Sequence, residues 1–159
     1  VGENGKVRDY VFEAQKKGIV FDVGHGGGSF IFKQAIPAVQ QGFKPNVIST
    51  DLHTGSMNGG MKNINNVMSK FLNMGLSIQE VIATTTSKPA QYIQRKDLGH
   101  LSIGAEADVA ILNIRSGDFG FIDTRGKRMK GKQKIECELT LRAGNVVYDL
   151  NGLASNDWK

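Results

Sequence analysis

The sequence predicts an α/β fold in which parallel βα units come first and a β-rich part follows. Two short apolar runs, residues 19–23 and 47–50, have the β-branched and aromatic composition of buried strands. A segment with helical spacing of its apolar side chains lies between them, as in a βαβ unit. From about Leu98 the apolar period becomes that of strands. We therefore expect a domain boundary near residue 96, with the βα units in 1–95 and the β part in 96–159.

The predicted helices of the first part share apolar side chains at three- and four-residue spacing and a glycine just after the last turn. They cover residues 6–17, 30–41 and 61–74. Pro37 lies inside the second helix and predicts that it is short or kinked. Ser77 and Glu80 form a capping-box pattern before residues 78–85, and Pro89 fits the first turn of a further helix over 87–93.

The β part is predicted to contain a strand and a hairpin. Residues 108–114 form the strand, and residues 135–142 and 146–149 pair across the turn Ala143-Gly144-Asn145. Much of the basic charge lies in residues 125–134. We expect this run to be a solvated loop between two strands, because no aromatic side chains interrupt the charges.

Composition restricts the class of protein. The net charge of +5 over 159 residues, without interleaved aromatic residues, does not favour nucleic-acid binding. No apolar run is long enough to span a bilayer and the first residues are polar, so we expect neither a membrane segment nor a secretory signal. A single cysteine, Cys137, excludes an internal disulfide and fits a reducing compartment, so a cytoplasmic location is expected.

Two parallel strands are too few for a stable open sheet or a closed barrel. A complete (β/α)8 TIM-like barrel takes about 250 residues. We therefore expect residues 1–95 to be the closing portion of such a barrel and residues 96–159 to supply strands of a small flanking β-sandwich. On this interpretation the chain is the C-terminal portion of a longer protein.

A polar side chain follows each predicted parallel strand, His25 after the first and Asp51 after the second. Neighbouring parallel strands point their carboxyl ends into one mouth, so the two side chains are candidates for a metal or acid–base site. The glycines around His25 would clear space for a ligand. The alternatives are a helix- or turn-capping role for Asp51 and a phosphate cradle at the glycines, although no Lys-Ser/Thr pair follows them.

Three blocks of sequence carry a resemblance to a known family. They are residues 22–30 (Asp-Val-Gly-His-Gly-Gly-Gly-Ser-Phe), residues 48–53 (Ile-Ser-Thr-Asp-Leu-His), and Lys88-Pro89-Ala90 followed by the pattern of residues 98–112. Together they resemble the amidohydrolase superfamily of metal-dependent hydrolases. The first two blocks are most similar to its dihydroorotase-like branch, which includes deacetylases of N-acyl amino or hydroxy acids.

The resemblance implies roles for individual residues. His25 lies where the family has a metal-binding histidine, and Asp51 lies where it has an aspartate that contacts a metal and shuttles the proton of the attacking water. The implied cofactor is zinc, as one or two divalent ions, and the implied substrate is a small amide or cyclic amide. Substrate would be held by residues in two glycine-rich loops, and two further side chains would support the site. The loop residues are Gly27, Gly28, Ser29, Met57, Asn58 and Gly59, and the supporting residues are Asp22 and His53.

The chain also departs from the family pattern. The His-x-His pair of the first strand, the bridging lysine and an earlier histidine have no counterpart here, whereas a catalytic zinc needs about three protein ligands. We therefore expect only the C-terminal half of the site, an inactive isolated chain, a partner in the N-terminal portion of the same protein, and a homo-oligomer. The alternative is a non-catalytic fragment that associates with a complementary N-terminal half.

Overall fold

A computed structural model describes all residues from 1 to 159 and contains five helices and five strands. In chain order the elements are α1 (Asp9–Lys16), β1 (Asp22–Gly24), α2 (Phe32–Gln40), β2 (Val47–Ser49), α3 (Ile64–Met74), α4 (Ile78–Thr85), α5 (Ser87–Tyr92), β3 (Val109–Ile122), β4 (Arg128–Arg142) and β5 (Asn145–Asp149). Each predicted helix is present, although most are a few residues shorter than predicted. No helix has both the length and the apolar character needed to cross a bilayer.

The two predicted parallel strands pair with each other. Asp22 lies opposite Val47 and Gly24 lies opposite Ser49, so β1 and β2 form a two-stranded parallel sheet. Helix α2 connects them and is short, as its internal Pro37 predicts. The βαβ unit therefore forms as the sequence indicates, with both strands ending at the same edge.

Local signals set the ends of α3 and α4. The Asn63 side chain accepts a hydrogen bond from the amide of Asn66 at the start of α3, and Gly75 ends this helix in the left-handed conformation with φ of 114°. At the start of α4, Ser77 and Glu80 form the predicted capping box. These caps explain why the observed end of α3 and start of α4 agree with the predicted ones.

The β part is a three-stranded antiparallel sheet in the order β3-β4-β5. The prediction of a solvated loop over residues 125–134 is wrong for most of that run, because β3 continues to Ile122 and β4 already begins at Arg128. Only residues 123–127 form the turn between them. Along this longer hairpin, buried side chains such as Phe121 and Ile135 point to the core while the basic side chains remain largely exposed. Packing against the core thus stabilises the first part of β4, which the run of basic residues made difficult to predict from the sequence.

Helix α3 packs on β4 through polar contacts as well as apolar ones. The Ser69 hydroxyl accepts a hydrogen bond from the amide of Ile135 at 2.9 Å. Asn73 accepts from the amide of Lys132 at 2.8 Å and donates to the carbonyl of Gln133 at 2.7 Å. These bonds attach the hairpin to the βα part.

The hydrophobic core is one cluster that includes residues from both sides of the predicted boundary. Phe121 and Ile135 of the sheet belong to the same cluster as Phe30, Met61 and Phe71 of the βα part. The boundary near residue 96 stays a prediction. Only 24 of 159 residues are buried, so much apolar surface remains unpacked, and the most exposed large apolar side chains include those of Leu101, Ile103 and Trp158.

Candidate active site

The structure brings the two predicted strand-end motifs together. Beyond β1 and β2, the amide of Gly26 donates to the carbonyl of Thr50 at 2.8 Å, so the chains stay paired past the strands. Asp51 has a positive φ of 49°, which turns its side chain back toward Gly26. A Cβ atom on Gly26 would overlap the Asp51 carboxylate, so only glycine permits this close approach.

The Asp51 carboxylate is free to react. Asp51 is exposed, and its carboxylate accepts no hydrogen bond within the chain. Its backbone carbonyl accepts one from the Ser56 hydroxyl. A carboxylate with unused lone pairs can ligate a cation or accept a proton from water. Asp51 therefore fits both roles that the resemblance implies.

The His25 imidazole lies in the interior rather than in the mouth. It has no exposed surface and stacks on the Phe30 ring with a centroid distance of 4.6 Å. Its Nδ1 atom lies 3.0 Å from the carbonyl oxygen of Gly26, and its Nε2 atom lies 2.7 Å from Nζ of Lys70. Because an ammonium only donates, Nε2 is the acceptor, and Nδ1 carries the proton that Gly26 accepts.

Both ring nitrogens of His25 are therefore engaged. Burial is the main cause that lowers the pKa of His25; the Gly26 carbonyl opposes this effect and the Lys70 ammonium adds to it. A metal could reach Nε2 only in place of the ammonium. The metal-ligand role of His25 remains an untested prediction, and these hydrogen bonds favour a positioning role instead.

The donor set of this chain does not form a complete metal site. No three His, Cys, Asp or Glu side chains cluster in a way that could hold a metal ion. Asp51 fits as one carboxylate ligand, whereas His25 does not fit while Lys70 occupies its acceptor nitrogen.

Lys70 is a buried cation that sequence reasoning missed. Its side chain has no exposed surface, and it donates to the carbonyls of Gly60 at 2.9 Å and Ile122 at 2.8 Å as well as to His25. Burial lowers the pKa of Lys70 to about 8, although the Asp123 carboxylate acts in the opposite direction. A signal existed, because a lysine three residues after Val67 lies on the apolar face of α3.

Asp123 is a second buried charge that was missed. Its carboxylate accepts from the amide of Phe32 at the start of α2, and from the amides of Arg125 and Lys127 in the β3–β4 turn. Burial alone would raise the pKa of Asp123, but these amides and Lys70 together lower it below its usual value. Asp123 thus attaches the hairpin turn to the carboxyl-end edge of the parallel strands.

Comparison with known proteins identifies the family. The model of the Amidohydrolase family matches residues 44–148, which is more than half of the chain. The chain belongs to the amidohydrolase family. The predicted resemblance is therefore confirmed.

Three relatives of this amidohydrolase chain illustrate the match. A deacetylase from Enterococcus faecalis is 33% identical over 145 residues, which is 91% of this chain and 39% of the relative. A crystal structure of an adenine deaminase matches with a TM-score of 0.85 at 33% identity, over 91% of this chain and 39% of that one. A crystal structure of a dihydroorotase matches with a TM-score of 0.80 at 30% identity, over 89% and 40%. The chain spans about two fifths of the length of these proteins.

Two exposed loops of the amidohydrolase chain flank Asp51. The first holds Gly27, Gly28 and Ser29, and the second holds Met57, Asn58 and Gly59; all six are exposed, as expected of residues that could contact a substrate. Buried Ser56 organises the second loop, because its hydroxyl accepts from the amide of His53 at 3.0 Å and donates to the His53 carbonyl at 3.1 Å. The substrate-binding role of the six residues stays a prediction.

The two predicted supporting residues differ in their surroundings. The Nε2 atom of His53 faces Gly27, 3.5 Å from where a Cβ would lie, and its Nδ1 accepts from the amide of Gly55 at 3.2 Å. His53 therefore does lie at the same mouth as Asp51. Asp22 instead accepts a hydrogen bond from the Ser49 hydroxyl at 3.0 Å, so its partner is the neighbouring strand and not His25.

Proposed function

We propose that this chain supplies part of the active site of a metal-dependent hydrolase that cleaves C–N bonds in amides or cyclic amides. The observation that carries the proposal is the exposed Asp51 carboxylate, which accepts no hydrogen bond and lies just beyond β2. Membership of the amidohydrolase family supports the same reaction class, because the relatives are named deacetylase, adenine deaminase and dihydroorotase.

Asp51 is the proposed proton-transfer group. Its carboxylate takes a proton from the attacking water and delivers it to the leaving nitrogen, so that both steps use one side chain. The positive φ of Asp51 and the absence of a side chain at Gly26 allow the carboxylate to take this position. A catalytic group that is already oriented toward the substrate lowers the entropic part of the activation barrier, and this effect is a large part of enzymatic rate enhancement.

Asp51 is also the proposed ligand that this chain contributes to a divalent ion of the zinc type. When bound, such an ion lowers the pKa of a water molecule and polarises the carbonyl of the substrate. The remaining ligands, for one ion or two, are assigned to the N-terminal portion of the same protein. The short span of the chain relative to its relatives supports this assignment.

The proposed setting is a (β/α)8 barrel of which β1 and β2 are two adjacent strands. Only these two strands pair here, whereas every strand in a closed barrel has two neighbours. Ile19 and Val20, which lead into β1, are 55% and 41% exposed, as expected of an edge that another strand covers. The sheet β3-β4-β5 is then the part of a flanking β-sandwich that follows the barrel.

The loops around Asp51 are the proposed binding site for a small amide. Gly27, Gly28 and Ser29 would approach the substrate with their backbone from one side, and Met57, Asn58 and Gly59 would line the other. Exposed His53 lies between the two loops, close to Gly27, and could donate or accept a hydrogen bond there.

The test is turnover of the intact protein and its Asp51→Asn variant on a panel of N-acyl amino acids, dihydroorotate and adenine, with metal content measured on the same samples. We expect at least one compound to be hydrolysed and Asp51→Asn to lower kcat by about 100-fold or more. Asp118→Asn, the same chemical change at an exposed residue of β3, is the matched control and should leave kcat unchanged. Equal kcat in the Asp51 and Asp118 variants would refute the role of Asp51.

A second candidate function is non-catalytic association with a complementary N-terminal half. The unpaired edge of β1 and the incomplete donor set favour it. Size-exclusion chromatography of the chain with and without the remaining portion tests it. A stable complex that hydrolyses no compound of the panel would support this function. A chain that elutes as a single monodisperse species and does not bind the other portion would contradict it.

A further inference from the structure

We infer that Lys70 is a positioning residue, because its buried ammonium joins the end of β1, the loop over residues 51–60 and the β3–β4 hairpin around Asp51. This inference rests on the proposed function of Asp51. It adds a buried residue of α3 to the residues of the two strand-end loops.

Three acceptors from three separate segments surround the ammonium. They are Nε2 of His25 after β1, the carbonyl of Gly60 at the end of the loop, and the carbonyl of Ile122 at the end of β3. An ammonium has three N–H donors, so each donor has one acceptor and none is left over. A buried donor that loses its acceptor is costly, so the three segments keep their relative positions.

The surroundings of Lys70 leave little room for rearrangement. The rings of Phe30 and Phe32 lie with their centroids 5.8 Å and 5.9 Å from Nζ, so they cover the cation on the remaining sides. Asp123, buried nearby, supplies the compensating negative charge without a direct hydrogen bond to Lys70. The cation is therefore both satisfied and enclosed.

A short chain of contacts connects Lys70 to Asp51 from the β1 side. Lys70 donates to Nε2 of His25, and Nδ1 of His25 donates to the carbonyl of Gly26. Gly26 in turn lies directly against the Asp51 carboxylate. Loss of the ammonium would free the imidazole and with it the Gly26 peptide that supports the carboxylate.

The loop side depends on the same ammonium. Gly60 lies so close to the hairpin that a Cβ atom there would overlap the carbonyl oxygen of Ile122. The backbone carbonyls of Gly60 and Ile122 both accept a hydrogen bond from Nζ of Lys70. Because one ammonium is bonded to both carbonyls, Lys70 joins the end of the loop that begins at Asp51 to the end of β3.

The discriminating variant is Lys70→Met, which retains an unbranched side chain among the phenylalanine rings but removes all three donors. The matched control is Ser69→Ala on the same helix. Ser69 is equally buried, and its hydroxyl bonds to Ile135 of β4 and to Asn65, not to any of the three acceptors of Lys70. Both variants disturb the contact between α3 and the sheet. Only Lys70→Met removes the hydrogen bonds to His25, Gly60 and Ile122.

The experiment measures kcat, KM and amide hydrogen exchange in the intact protein. We expect Lys70→Met to lower kcat by about 10- to 100-fold with a small change in KM, and to speed exchange in residues 26–30 and 51–60. Ser69→Ala should keep kcat and the exchange of both loops. If the two variants have the same kcat and the same exchange pattern, Lys70 has no positioning role.

A measurement on the unmodified protein covers the case in which Lys70→Met does not fold. Nitrogen-15 NMR should show a neutral His25 ring with the proton on Nδ1 and an unprotonated Nε2; a proton on Nε2 would overturn the inference. Failure of the proposed function would be distinguishable, because Asp51→Asn would then keep full turnover while the exchange and tautomer results still reported on Lys70.

Discussion

Nζ of Lys70 lies 2.7 Å from Nε2 of His25, and neither side chain has any exposed surface. The nitrogen that a metal would need is therefore the acceptor of a buried ammonium. In this arrangement His25 supports the Gly26 peptide through Nδ1, and its predicted role as a metal ligand stays a prediction. The arrangement also places a positive charge behind the mouth, separated from Asp51 by one imidazole and one glycine.

The first prediction concerns His25→Asn in the intact protein. We expect metal content per chain to stay the same, because Nε2 of His25 already accepts a hydrogen bond from Lys70. The free energy of unfolding should fall by about 2 to 3 kcal/mol, since the buried ammonium loses one acceptor. Elemental analysis and chemical denaturation measure the two quantities.

The control for this prediction is His100→Asn. His100 is exposed in a surface turn, where its ring bonds only to backbone atoms of Lys96 and Ser102. This variant should change neither quantity appreciably. Loss of metal from His25→Asn alone would restore the ligand role that the sequence predicts for His25.

The second prediction is an alkaline rise in stability that depends on Lys70. Burial lowers the pKa of Lys70 to about 8, whereas an unfolded lysine titrates near 10.5. Between these values the unfolded chain binds more protons than the folded one, so the contribution of Lys70 makes stability increase as the pH rises from about 8 to about 10.5. Lys70→Met should lack this increment.

Denaturant unfolding at a series of pH values measures the second prediction. The quantity to compare is the difference in unfolding free energy between the unmodified protein and Lys70→Met, because other lysines and tyrosines cancel in the difference. The exposed lysine variant Lys33→Met is the control and should show no such increment. A flat difference across the window would mean that burial does not lower the pKa of Lys70 in the folded protein.

The third prediction uses Gly26→Ala. The new Cβ would overlap the Asp51 carboxylate and would also sit at a positive φ of 51°. We expect kcat to fall by about 10-fold or more, because the proton-transfer group is displaced. Gly18→Ala separates the two effects, since Gly18 has a positive φ of 86° with no atom near its Cβ position.

Both alanine variants should lose about 1 to 2 kcal/mol of stability from the backbone conformation. Only Gly26→Ala should lose turnover. Equal activity of the two variants would show that the contact between Gly26 and Asp51 has no catalytic consequence.

Local sequence signals predicted the elements whose ends they control. Gly75 sets the end of α3, and the capping box at Ser77 sets the start of α4. Both signals act between residues that are close in sequence, so these helix ends could be predicted without tertiary information. The parallel pairing of β1 and β2 was predictable because a helix-length connection between two apolar runs permits little else.

Long-range contacts explain what sequence reasoning missed. Lysine side chains are rarely buried, so the position of Lys70 beside the apolar face of α3 was not enough to predict its burial, and its acceptor at Ile122 is 52 residues away. Asp123 bonds to an amide 91 residues away in sequence. The extended β3–β4 hairpin was obscured in the same way, since the basic run and several glycines hide an alternation that only packing of Phe121 and Ile135 against α3 completes.

The fourth prediction tests whether the hairpin turn is part of the site's framework. Asp123→Ala removes a buried carboxylate that accepts from the amides of Phe32, Arg125 and Lys127, so we expect a loss of about 2 to 4 kcal/mol in unfolding free energy. Asp149→Ala is the control, because its carboxylate accepts from two amides in an exposed turn where water replaces it, and its loss should stay under about 1 kcal/mol. Chemical denaturation measures both. Equal losses would mean that the burial of Asp123 beside Lys70 adds nothing to stability and that the hairpin turn is not part of this framework.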